Sequence, residues 1–229
     1  MYIDYEWEPV ADQDYPEPGI YQDDVLTYSW DRLIDEEIIV LDENNVIVYA
    51  NWESEALIGD LVIAPSVTAI EDFGFSDCSE LYTVTIPEGV TSIGGGAFMY
   101  CSNLTAVNIP KSVTYIGKAV FEDCWSMRNV FMADDHPVYS VDDYGVLYNR
   151  DRTELVQVCI PLDGTYCVPD GVTEIQDYAF EYQYNLAHVV LPNSVTRIGT
   201  CAFDCCSYMR TINLPECLTE LSIGVFAGC

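Results

Sequence analysis

The chain repeats itself every 23 residues, and that period constrains its fold more than any other property. Residues 86–107 read IPEGVTSIGGGAFMYCSNLTAV and residues 109–130 read IPKSVTYIGKAVFEDCWSMRNV. The aliphatic-Pro-x-x-aliphatic-Thr-x-aliphatic segment starts at Ile86, Ile109, Val168, Leu191 and Leu214, with a blurred first copy at Ile63 whose proline has slipped to Pro65. A phenylalanine column follows at Phe75, Phe98, Phe121, Phe180, Phe203 and Phe226. Three residues beyond each stands Cys78, Cys101, Cys124, Gln183, Cys206 or Cys229. A fixed period of this length marks a solenoid, in which each repeat is one supersecondary unit stacked on the last.

The unit itself is legible. Leu104, Val107 and Ile109 alternate as a short strand, and Pro110 ends it because proline donates nothing to a sheet ladder. V-T-x-I-G, as at residues 90–94, is a second short extended piece, and A-F-x-x-C turns the chain back, here expected through a helical turn. One such coil cannot bury its apolar side alone. Stacked about 4.8 Å apart, coils set Phe on Phe and Leu on Leu in one core.

The I-P-x-x-V-T-x-I-G-x-x-A-F-x-x-C-x-x-L pattern resembles the BspA-type leucine-rich repeat and extends over residues 61–229. Gln183 in the cysteine column and Val120 before Phe121 are local departures. The resemblance implies a right-handed leucine-rich-repeat solenoid of short β-strands and helical turns. It also implies an extracellular or cell-surface location and a role in adhesion or protein binding without enzymatic activity.

Three segments stand apart from the regular coils. Residues 1–22 read as an acidic, aromatic arm interrupted by Pro9, Pro16, Pro18 and Gly19. Residues 23–60 read as an N-terminal β cap, with a strand over 25–30 and a hairpin pairing 38–41 with 46–49 around Glu43-Asn44-Asn45. The step from Ile109 to Val168 is 59 residues, so residues 133–167 form an insert, read as strands over 138–141, 146–148 and 155–160. Such an insert either contributes to a binding surface or serves as a spacer that changes curvature.

The formal charge is −30, of which residues 1–60 carry 17 acidic side chains against the single basic Arg32. That field repels nucleic acid phosphates and anionic lipid heads, and suits either simple solubility or the attraction of cations or a basic partner. No run of about 18 apolar residues encodes a membrane span. The opening MYIDYEWEPV has no basic, apolar leader, so a signal peptide is expected to be absent or already removed.

The ten cysteines invite a disulfide framework. Yet Cys78, Cys101, Cys124, Cys206 and Cys229 share one column, where parallel Cα–Cβ vectors suit buried thiols better than bridges. Cys159 and Cys167 flank a Pro-Leu-Asp-Gly turn, a spacing that permits a bridge. Cys201, Cys205, Cys206 and Cys217 fit no paired C-x-x-C zinc spacing, and Asp23-Asp24 and Asp142-Asp143 lack the loop of a calcium site. His136 and His188 stand in no metal-protease or triad setting, so neither a metal, a cofactor nor a catalytic group is expected.

The candidate binding surface is the outward face of the first strand of each coil. It comprises Thr83, Thr85, Asn108, Asn129, Phe131, His188, Val190, Thr211 and Asn213. Phe131, His188 and Val190 interrupt a small polar pattern beside the insert, the composition of a recognition patch unless the insert packs over them. Two functions are consistent with these features. One is an extracellular or cell-surface module that binds a protein or host-surface ligand. The other is a structural protomer that self-associates through the open end of the last coil, which stops at Cys229.

Overall fold

The computed structural model describes residues 18–22 and 25–229, and the arm expected over 1–22 lies outside the described residues as far as residue 17. From Gly19 the chain is already sheet. β1 (Gly19–Gln22) pairs antiparallel with β2 (Val25–Ser29), and Ile20 is fully buried, so Pro18-Gly19 begins a packed strand rather than extending a loose arm. A six-residue helix follows, α1 (Trp30–Asp35), capped by the Ser29 hydroxyl and burying Trp30 and Leu33. The expected hairpin forms from β3 (Ile39–Leu41) and β4 (Val46–Ala50). Its turn is held by Asp42 Oδ1, which accepts from Asn44 N and Val46 N at 2.8 Å each.

The coils come next, each laying one strand on each of two faces. They are β5 (Gly59–Val62) with β6 (Ala69–Ile70), β7 (Leu81–Thr85) with β8 (Ser92–Ile93), and β9 (Ala106–Ile109) with β10 (Tyr115–Ile116), before β11 (Asn129–Met132). The insert supplies β12 (Tyr139–Val141), β13 (Val146–Asn149) and β14 (Glu154–Val158). Three coils complete the chain: β15 (Gly164–Cys167) with β16 (Glu174–Ile175), β17 (Leu186–Val190) with β18 (Arg197–Ile198), and β19 (Thr211–Ile212) with β20 (Glu220–Leu221). The result is a β-solenoid of about seven turns with little helix.

Strands pair in parallel with equivalent residues opposite, such as Val84 with Val107 and Ile70 with Ile93. The first strands form one sheet, β11-β9-β7-β5-β1-β2, whose N-terminal edge carries the antiparallel β1–β2 ribbon. The second strands form β10-β8-β6-β4-β3. Inside, the phenylalanine column is a stack: Phe75 and Phe98 lie 5.4 Å apart and 2° from parallel, and Phe98 and Phe121 lie 5.7 Å apart. The stack resumes with Phe180, Phe203 and Phe226 at 4.7 and 5.8 Å.

The return segment is not helical. Its N–H groups alternate between two uses. Gly74, Ser76 and Cys78 bond within their own turn, while Phe73, Phe75 and Asp77 bond to the carbonyls of Gly95, Ala97 and Met99 on the next coil. A helix would spend every N–H internally, so this segment is a third ladder made of β-turns. It needs a left-handed residue twice per turn, and non-glycine residues take that conformation at Phe73 and Asp77, Ala119 and Asp123, Tyr178 and Tyr182, and Cys201 and Cys205. The lateral bonds offset a local cost of about 1–2 kcal/mol at each.

The Gly of V-T-x-I-G serves close approach. A Cβ on Gly94 would stand 2.3 Å from Asp72 N, and one on Gly117 2.3 Å from Gly95 N. Gln176 takes the position in the coil after the insert, where its N–H bonds to Leu155 of β14, a plain strand without a turn to collide with.

Column cysteines are free thiols, and Cys78, Cys101, Cys124 and Cys206 are buried. The Sγ of Cys101, Cys124, Cys206 and Cys229 each donates to the carbonyl of the phenylalanine one coil back, at 3.0–3.1 Å. Burial pushes the Cys78 and Cys124 thiols up to about 12. Cys229 departs from the expected burial: it is exposed. Cys159 is buried and Cys167 exposed, both unbridged.

The insert is a partition. β12, β13 and β14 pair antiparallel, and β14 then leads a parallel ladder through β16, β18 and β20. β13 is buried on both faces: Leu147 packs into the N-terminal core while Val146 and Tyr148 pack into the C-terminal one. That explains its unbroken apolar reading, since alternate residues serve opposite cores. His136 pins the start of the insert, its Nδ1 accepting from Val138 N and Tyr139 N and its Nε2 lying 3.1 Å from Pro110 O. Asp142 pins its middle, accepting from Tyr166 Oη at 2.7 Å while Tyr148 Oη bonds to Tyr166 Oη. Among the described residues no helix is long and apolar enough to cross a membrane.

Candidate functional site

The nine surface residues fall on two sheets, not one. Thr83, Thr85, Asn108, Asn129 and Phe131 lie on β7, β9 and β11, whereas His188, Val190, Thr211 and Asn213 belong to the three-stranded sheet β15-β17-β19. β15 sits beside β17 with Thr165 opposite His188 and Cys167 opposite Val190, so Phe131 and His188 are not ladder neighbours. The expected aromatic–histidine patch is therefore divided by an intervening strand.

Several of these side chains already serve their own sheet. Asn108 bridges to the coil before it, with Ile86 N donating to its Oδ1 at 2.7 Å and its Nδ2 donating to Ile86 O at 2.8 Å. Asn213 does the same to Leu191 at 2.7 and 2.8 Å. These amides extend the backbone ladder past the end of the strand. Thr83 Oγ1 donates to Asp60 Oδ1 at 2.7 Å, and His188 Nδ1 lies 2.7 Å from Thr211 Oγ1. Asn129, Val190 and Thr211 are exposed, Val190 by 46%.

A second site lies on the turn face. Where β14 replaces a coil, its Val158 N–H bonds to Ala179 O at 2.8 Å, the bond that Phe98 makes to Val120 and Phe180 to Ala202 elsewhere. β14 runs on as strand and projects no turn of its own. The turns at 119–124 and 178–183 therefore stand as two walls of a cleft of about 130 Å³. Two glutamines repair the interrupted ladder. Gln157 Oε1 accepts from Val120 N at 3.2 Å, and Gln183 Oε1 accepts from Leu162 N at 2.8 Å. Gln183 is the residue that departs from the cysteine column, and a thiol in its place would be only a weak acceptor.

Lys118 and Asp177, adjacent in sequence to the lining residues Ala119 and Tyr178, form an ion pair at 2.6 Å, and Trp125 stacks on Tyr184 at 5.1 Å at the cleft's rim. Glu122 and Asp123 enter from one wall and Glu181 from the other. Burial, then Asp123 and Asp204, push the Glu122 carboxyl up to about 7. Burial, then Glu122, Asp204 and Asp123, push Glu181 up to about 8. Burial also raises Asp123, whose Oδ1 is buried and receives no hydrogen bond. None of these carboxylates was singled out by the repeat pattern. The available signal was the coincidence of two departures, the lost column cysteine at Gln183 and the long step before it.

Comparison with known proteins agrees with this architecture. The family model of the BspA-type leucine-rich repeat region matches in six copies over residues 49–145 and 165–229, leaving out part of the insert. Among solved structures, a leucine-rich cell surface protein of Faecalibacterium prausnitzii is 30% identical, with a TM-score of 0.53 over 75% of this chain and 58% of that one. The pneumococcal vaccine antigen PcpA is 21% identical, with a TM-score of 0.53 over 78% of this chain and 54% of its own. A leucine-rich repeat protein of Eubacterium ventriosum is 20% identical, with a TM-score of 0.54 over 74% and 57%. The chain thus spans little more than half the length of each. No curated protein sequence matches it. With six copies of the repeat over most of its length, the chain belongs to the BspA-type leucine-rich repeat family.

Proposed function

We propose that this solenoid is a non-enzymatic protein-binding module of a cell surface, and that it engages a protein or host-surface ligand through its first-strand sheets. The observation that carries this reading is the parallel register of those strands. It repeats outward side chains at a fixed spacing of about 4.8 Å on a rigid support, with Asn129, Thr211 and the apolar Val190 exposed. Small polar residues around an exposed aliphatic one offer contact area at low ordering cost. The charge of −30 favours a basic partner and accelerates its encounter. The cell-surface description of the Faecalibacterium protein supports the location.

The test is site-specific photo-crosslinking against host epithelial surface protein. A photoreactive residue at Asn129 or Val190 is expected to capture a discrete partner, whereas one at Thr91 or Thr114 beside the second strands should not. Equal capture from both faces, or none from either, would remove the sheet face from consideration.

A further inference from the structure

The turn-face cleft has a chemistry that the first-strand sheets lack. Carboxylates from two coils face each other across a narrow gap, and the nearest ammonium, Lys118 Nζ, is already paired with Asp177. Asp123 lines the same cleft, and its buried Oδ1 receives no hydrogen bond. A buried acceptor of this kind is costly until something donates to it. The walls also carry Trp125, Tyr182 and Tyr184, whose ring faces attract cations.

We propose that the cleft binds an organic cation, the guanidinium or ammonium group of a basic side chain being the chemistry it fits. Such a group donates to several oxygens at once, places its charge between Glu122 and Glu181, and lays its flat or apolar part against Trp125 and Tyr184. A bare metal ion fits less well. One rim is aromatic, and among the described residues no group of His, Cys, Asp and Glu is arranged to hold a metal. The cleft is a product of the insert, because only the loss of one projecting turn leaves room between coils. It lies on a different face from the first-strand sheets, so the two readings stand or fall separately.

Binding is linked to protons. The groups facing Glu122 and Glu181 are Asp123, Asp204, Tyr100, Tyr182, Tyr184, Cys201 and Cys205, none of them basic, so the two carboxyls hold protons that an arriving cation displaces. Affinity should therefore rise as the pH increases from 6 to 8.5, with net proton release.

The experiment is isothermal titration of the whole chain at about 150 mM salt, where the Debye length is about 8 Å, with N-acetyl-arginine amide, its neutral isostere N-acetyl-citrulline amide, and methylguanidine. The arginine amide is expected to bind one site, the citrulline amide not, and Glu122→Gln with Glu181→Gln to weaken binding at least about tenfold, which is 1.4 kcal/mol or more. Trp125→Leu, at the rim, is expected to weaken it without removing a charge. Glu43→Gln, on the distant hairpin, removes one charge and should change nothing. Methylguanidine binding as well as the arginine amide points to a free small cation, and tighter binding of an arginine pentapeptide points to a basic protein; both support the site. Equal binding of the citrulline amide, equal loss in Glu43→Gln, or no saturable binding by the unmodified chain would overturn it.

Discussion

Gly94→Ala tests the architecture at its tightest point. The new methyl would lie 2.3 Å from Asp72 N and 2.4 Å from Glu71 C, against an ordinary contact distance of 3.4 Å or more. Both obstacles are backbone, so no rotamer change relieves them. The coil must open by about 1 Å in a stack whose repeat is about 4.8 Å. Overpacking of this kind costs about 1–3 kcal/mol. Opening also strains the neighbouring bonds from Gly94 N to Ile70 O at 2.8 Å, Gly95 N to Asp72 Oδ1 at 2.6 Å and Phe73 N to Gly95 O at 2.9 Å, each contributing about 1 kcal/mol. Against this, alanine restricts the unfolded chain and returns about 0.4–1 kcal/mol. The net expectation is a loss of about 3 kcal/mol. With a urea slope of about 2 kcal/mol/M, the midpoint should fall by about 1.5 M. Gln176→Ala alters the same position where a side chain is already accommodated, and should cost under about 1 kcal/mol. Circular dichroism in urea reads both. If the midpoint of Gly94→Ala stays at the wild-type value, or Gln176→Ala falls as far, close coil contact is not what the glycine serves.

Three further outcomes follow from the packing and charges. Phe98→Ala, fully buried between two stacked rings, should cost about 3–5 kcal/mol, and Phe226→Ala, half-buried with one ring partner, distinctly less; equal midpoint shifts would contradict the stack. Thiol labelling of the folded chain should modify the exposed Cys167, Cys217 and Cys229 within minutes and spare Cys78, Cys101, Cys124 and Cys206; mass spectrometry that finds Cys101 or Cys124 labelled would show the ladder to be open. The folded-state carboxyls of Glu122 and Glu181 sit near 7 and 8 against ordinary values of 4.5, so folding takes up protons. Their contribution is fully present below about pH 4.5 and is lost as the pH rises through 7 and 8. Glu181→Gln should then raise the melting temperature at pH 8.5 by roughly 2 °C and leave it unchanged at pH 5, by differential scanning calorimetry. An equal shift at both values would locate the effect outside titration.

Legibility from the sequence tracked repetition. The phenylalanine and cysteine columns, the hairpin around Asn44 and the three strands of the insert were readable because each position is confirmed by its copies or by alternation. β1 was hidden by Pro18-Gly19, which reads as a breaker although Gly19 only admits the close approach of Tyr28 O, which would lie 2.2 Å from any Cβ there. α1 was missed because six residues are too few to show a 3.6-residue period. The turns were misread as helical because their left-handed residues are Phe73, Ala119 or Tyr178 instead of glycine, a conformation imposed by lateral bonds to the next coil. β15 escaped because residues 164–167, GTYC, match no repeat column. Its omission grouped Phe131, His188 and Val190 as one patch beside the insert. The cleft was illegible for a deeper reason: it is made by a turn that one coil does not have.

The seam between the halves has a consequence for how this protein changes over generations. Elsewhere, coils are joined chiefly by main-chain bonds, which survive almost any substitution except proline. Across the partition, Tyr139 Oη receives the Ile116 N–H at 3.0 Å, Gln157 receives that of Val120, and His136 reaches Pro110. These bonds are encoded by individual codons. A single mutation can therefore loosen, retune or reset the joint between two otherwise intact stacks, so heritable variation in the molecule's shape should concentrate there while the coils on either side diverge freely in surface alone.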